Sequence, residues 1–134
     1  MPRSYLASLA VLGALAVILA ALGAHAFEAQ LVGRAATRFQ TALALHFSHV
    51  PALLALSALE TRAWRWLYRP ALWLILAGLL LFCGGLYLAA LGISEWLIPW
   101  VPYGGTAMIL GWLAAAIAFA RGETSAGVVG RPTD

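Results

Sequence analysis

Charge is scarce in this chain: only 10% of its 134 residues are charged, against about 25% in soluble domains. Lysine is absent, so all eight basic residues are Arg. The single cysteine, Cys83, excludes an intramolecular disulfide and a multi-thiolate metal centre. Paired carboxylates, a His-Glu-x-x-His helix and a nucleophile–base–orienter set are all missing. Gly104-Gly105 has no following Lys and so makes no phosphate loop. These absences leave no starting point for an enzyme. A net charge of +3, scattered along the chain, is too weak for a nucleic-acid surface.

What the sequence does have is long uncharged runs. The charges fall at positions 3, 28–38, 60–69, 95 and 121–134. Between them lie Ser4–Phe27, Phe39–Leu59, Pro70–Ser94 and Trp96–Ala120. Crossing a bilayer takes roughly 20 apolar residues. The expected fold is therefore all-α: a four-helix transmembrane bundle, with spans at about 5–26, 39–59, 70–92 and 102–120. The bundle fills 1–120, and 121–134 reads as a short polar C-terminal tail. Ala24-His25-Ala26 resembles a signal-peptidase site, but the preceding apolar stretch exceeds the usual ~7–15 residues of a signal sequence.

Four spans put the N-terminus, the middle loop and the C-terminus on one side. That side holds Arg3, Arg62, Arg65, Arg69, Arg121 and Arg131; the other holds Arg34 and Arg38. The positive-inside rule then expects both termini in the cytoplasm. Trp64, Trp66 and Tyr68 in one loop, and Trp96, Trp100 and Tyr103 in another, suit the aromatic belts of the two interfaces.

Small residues recur at helical spacing: Ala16, Ala20 and Ala24; Gly85 and Ala89; Ala107, Gly111 and Ala115. Such stripes let helix backbones approach closely in lipid. Pro70 and Pro102 suit a first helical turn, whereas Pro51 lies inside a span and frees the Phe47 carbonyl. A Ser hydroxyl or a water is the expected replacement partner.

The second run is the least apolar. On a helical projection Ala42, His46, His49, Leu53 and Ser57 share one face. Thr41, Ala44, Ser48 and Ala55 lie roughly opposite. Demands on both faces place this helix at the centre of the bundle. His46, His49, Ser57 and His25, at the outer end of the first span, are the candidate functional polar residues. They allow a metal site, a haem site, or a proton or polar-solute path. No carboxylate in any span completes a metal set or a relay. The plainest role for the histidines is hydrogen-bonding between helices.

Four blocks carry a resemblance. They are Gly23-Ala24-His25-Ala26, Phe39-Gln40-Thr41-Ala42 leading to His49, Phe82-Cys83-Gly84-Gly85-Leu86-Tyr87, and Pro102-Tyr103-Gly104-Gly105 with Gly111-Trp112. From about Leu12 to Ala118 the chain resembles the domain of unknown function 423 family. These are small four-helix membrane proteins, YgdD-like or transmembrane protein 256-like. Cys83 replaces the family's Ser, and Pro51 replaces an ordinary apolar residue. The resemblance implies fold and membrane location; it carries no activity.

The expectation is a non-enzymatic membrane protein with no cofactor. Its partners are the lipid bilayer and other membrane-protein subunits or further copies of itself, not nucleic acid. The alternatives are transport on the His46/His49 face and an intramembrane metal or haem site.

Overall fold

The computed structural model describes residues 1–60 and 63–122. Arg62, Arg131 and all of the expected tail beyond Gly122 lie outside the described residues. Among the described residues the fold consists of four α-helices, α1 Arg3–Ala24, α2 Arg34–Ala58, α3 Arg65–Ala90 and α4 Val101–Gly122, with a short 3-10 helix at Glu95–Trp100. Each α-helix is long and apolar enough to cross a membrane. Even the 22 residues of α1 extend about 33 Å at 1.5 Å per residue.

Two helices start well before their apolar runs do. α2 begins at Arg34 and α3 at Arg65, so both carry arginines on their first turns. A helix has no reason to stop where the hydrocarbon stops, since headgroups and water solvate its charged turns. Pro70 consequently sits at the sixth position of α3 rather than in its first turn. α3 ends on a left-handed glycine, Gly92, with φ +70°. The Ile93 amide donates to the Leu88 carbonyl at 2.9 Å and the Gly92 amide to the Ala89 carbonyl at 3.2 Å. This Schellman pairing satisfies carbonyls that the helix end leaves open.

α3, not α2, is the central helix. Half of its apolar window is buried, against 22% for α2, and both α2 and α4 pack along it. The expectation of a central α2 is therefore corrected. α2 buries one face, Phe39, Ala42, His46, Val50 and Leu53, and leaves Thr41, Ala44, Ser48 and Ala55 outside. A hydroxyl can be satisfied on its own helix, as Ser48 is on the Leu45 carbonyl, so this modest polarity does not force the face inward.

Glycine sets the α3–α4 seam. A Cβ on Gly78 would stand 2.6 Å from the Gly104 carbonyl oxygen, and one on Gly104 would stand 2.7 Å from the Phe82 amide nitrogen. On Gly111 it would meet the Ile75 side chain at 2.5 Å, and on Gly85 the Val101 side chain at 2.7 Å. Ala89 and Ala115 are buried in the same region, while Ala107 is only half-buried. Of the α1 stripe, Ala16 is buried and Ala24 exposed. The tighter α1–α2 contact is Gly23 beneath the Phe39 ring.

Both ends of the bundle are tied by polar contacts. At one end Glu60 accepts from the Met1 amino group and from Arg69 Nε. There the Tyr68 hydroxyl donates to the Leu56 carbonyl at 2.7 Å. The Trp64 amide donates to the Ala118 carbonyl at 3.0 Å, and Arg121 lies over the Trp64 ring. At the other end Arg38 pairs with Glu95 at 2.8 Å. Trp66 at one end, and Trp96 and Tyr103 at the other, project outward, as interfacial aromatics do.

Candidate functional site

The middle of α2 holds His46, the one polar residue of the buried core among the described residues. It stands at the midpoint of Arg34–Ala58, about 18 Å from either helix end. The Tyr87 hydroxyl of α3 lies 3.3 Å from its Nδ1, a hydrogen bond whose direction follows the ring tautomer. In the tautomer with its proton on Nε2 the ring accepts from the phenol at Nδ1; in the other, Nδ1–H donates to the phenol oxygen. Tyr87 is held in turn by an edge contact with Phe39, ring centroids 5.2 Å apart. One turn away, the Cys83 thiol donates to the Ala42 carbonyl at 3.4 Å. Cys83 thus adds a second polar tie between α2 and α3.

Nε2 of His46 is buried without a hydrogen-bond partner. The Leu12 carbonyl of α1 stands beside the ring, but no hydrogen bond of ordinary geometry reaches Nε2. A buried donor or acceptor left unpaired costs about 1–3 kcal/mol. The ring lines a cavity of about 160 Å³ with Leu12 and Leu15 of α1 and Leu79, Gly84 and Tyr87 of α3. A second groove of about 530 Å³ adjoins it through Leu12 and Leu80, running past Ser8 and Trp73.

The structure does not bring the histidines together. His49 turns toward α4, its ring edge-on to Trp112 with centroids 6.1 Å apart. Its Nδ1–H donates to the Leu45 carbonyl at 3.0 Å, 3.1 Å from the Ser48 hydroxyl. Ser48 also donates to Leu45, at 3.0 Å, so it does not serve the carbonyl that Pro51 frees. Ser57 donates to Leu53, at 2.7 Å, within its own helix. His25 caps the end of α1 and is exposed. Among the described residues no three His, Cys, Asp or Glu side chains gather as metal ligands.

The outer face of α2 is rich in small and polar residues, with Phe47 and Leu54 at its edge. It presents Gln40, Thr41, Ala44, Ser48, Pro51 and Ala55. The exposed sides of α1 and α4 present more large aliphatics, Val11, Val17 and Ile18, and Ile109, Leu113 and Ile117, beside Ser4, Ser8 and Thr106 near their helix starts. Sequence reading singled out neither this face as external nor Tyr87 as the partner of His46. The only signal for the second was a phenol in an apolar run, since a buried phenol hydroxyl usually finds a partner.

The profile of the family described as "Protein of unknown function (DUF423)" matches residues 19–105. A "UPF0382 membrane protein" of Haemophilus influenzae is 36% identical over 118 residues, covering 87% of this chain and 93% of that protein. The "UPF0382 membrane protein YwdK" of Bacillus subtilis is 30% identical over 105 residues, covering 78% and 85%. No solved structure matches the chain.

Proposed function

The chain belongs to the DUF423 family of membrane proteins, whose description assigns no activity, and from its own surfaces we propose a non-enzymatic interaction role. It acts as an accessory subunit that packs in a larger membrane complex or against further copies of itself. The observation that carries this is the outer face of α2. Thr41, Ala44, Ser48 and Ala55 are exposed there, with none of the described helices over them. Small residues allow close backbone approach, and in lipid that approach is what drives association. Gln40, Thr41 and Ser48 add hydrogen-bonding groups that a partner helix can meet. The loops are short, so the described residues offer little other surface for a partner.

The test is the assembly itself. Purified in mild detergent at native abundance, the protein is expected as an oligomer or with a membrane partner. Ala44→Trp or Ser48→Trp should disperse that assembly, while Val11→Trp on the α1 exterior should leave it whole. A wild-type monomer with nothing bound would count against the reading.

The same reading places both termini in the cytoplasm and the protein in the inner membrane. The clustering of Arg65, Arg69 and Arg121 near Met1, through Glu60 and Trp64, supports it by the positive-inside rule. A C-terminal fusion to a reporter active only outside the cytoplasm should stay silent. Activity of that fusion would reverse the orientation.

A further inference from the structure

The groove between α1 and α3 has a feature that helix packing does not account for. It is almost wholly apolar, yet Nε2 of His46 at its floor makes no hydrogen bond of ordinary geometry, with only the Leu12 carbonyl of α1 standing beside the ring. His46 is 5% exposed, and Tyr87 on its other nitrogen holds the ring in place. Gly84 widens the space, since a Cβ there would meet nothing within 4 Å. We propose that this groove binds a lipid-soluble molecule with a ring-sized, carbonyl-bearing head and an apolar tail, the chemistry of an isoprenoid quinone. With the ring proton on Nε2, the head carbonyl accepts from His46 Nε2–H in the cavity of about 160 Å³, and the tail lies in the adjoining groove past Leu12, Leu80 and Trp73.

Depth selects among carbonyl-bearing lipids. His46, Leu12 and Leu15, and Leu79 and Leu80 all lie near the middle of their helices. That is close to the bilayer midplane, with about 15 Å of hydrocarbon on either side. The ester carbonyls of a phospholipid sit at the headgroup boundary and do not reach that depth. A quinone head is polar enough to seek one hydrogen bond and apolar enough to enter hydrocarbon. The site is separate from the outer face of α2 and does not rest on it.

The test uses the full chain purified in detergent. Saturation binding of a decyl-tailed benzoquinone is measured by equilibrium dialysis against protein-free micelles. The same tail on a ring without carbonyls and an excess of phospholipid are the comparison ligands. His46→Phe and removal of the carbonyls are each expected to weaken binding about tenfold, the value of one hydrogen bond. Gly84→Leu fills the groove and should abolish binding with helicity and unfolding midpoint unchanged, which guards against misfolding of the His46 variant. Equal binding of the carbonyl-free ligand, no effect of Gly84→Leu, full displacement by phospholipid, or no saturable binding at all would each overturn the proposal.

Discussion

Alanine at Gly104 forces two helix backbones apart, and the cost follows from the geometry. The new Cβ would lie 2.7 Å from the Phe82 amide nitrogen, 2.8 Å from the Gly78 carbonyl oxygen and 3.1 Å from Phe82 Cα. Carbon contacts are comfortable at about 3.5–4.0 Å, so α3 and α4 must separate by on the order of 1 Å. All three obstructing atoms are backbone and have no rotamer to yield. Overpacking costs about 1–3 kcal/mol, and a backbone obstruction belongs in the upper half of that range. Alanine recovers up to about 1 kcal/mol of helix propensity, leaving a net loss of about 1–2 kcal/mol. Reversible unfolding by SDS in mixed micelles, followed by helicity, measures this against wild type. Gly84→Ala is the matched control, since its Cβ would meet nothing within 4 Å; it should be neutral or slightly stabilising. Equal stability of Gly104→Ala and wild type, or equal losses in the two variants, would refute the glycine-seam account.

Two further perturbations follow from the ties at the bundle end. The Met1 amino group and Arg69 hold the Glu60 carboxyl below its ordinary value near 4.5. A depressed folded pKa gives stability that is present above the ordinary value and lost as pH falls through the folded one. Acid titration of the unfolding midpoint should show that loss below about 4.5, and Glu60→Gln should flatten it. Tyr68→Phe keeps the edge contact with Phe119, centroids 4.9 Å apart, but loses the 2.7 Å bond to the Leu56 carbonyl. It should cost about 0.5–1.5 kcal/mol in the same SDS titration; a cost near zero would mean that water replaces the phenol.

Much of the fold was legible because the hydrocarbon core imposes it. Charges cannot sit cheaply within some 30 Å of lipid, so the gaps between Arg3, Glu28, Glu60, Glu95 and Arg121 mark the four helices. Gly111 and Gly85 were readable as packing residues because small side chains recur at helical spacing. Gly78, which carries one of the closest approaches, stands outside any strict stripe. The arrangement of the helices was not legible. α3 is apolar on every side, and a projection cannot reveal that such a helix is central. The same physics misassigned α2: Ala44, Ser48 and Ala55 share a face by projection, but size and polarity do not say which face lipid meets. His49 and His46 share the projected face, yet Val50 takes the buried position beside His46 and His49 turns to Trp112. The unpaired Nε2 depends on where Tyr87 and Leu12 arrive, which only tertiary packing decides.

The central claim is that the outer face of α2 meets protein. A photo-crosslinking residue placed at Thr41, Ala44, Ser48 or Ala55, and for comparison at Val11 or Ile18 on α1, reads this in native membranes. Discrete protein adducts from the α2 positions and only lipid adducts from α1 are the predicted result. Lipid adducts alone from α2, or the same adducts from both helices, would contradict the account.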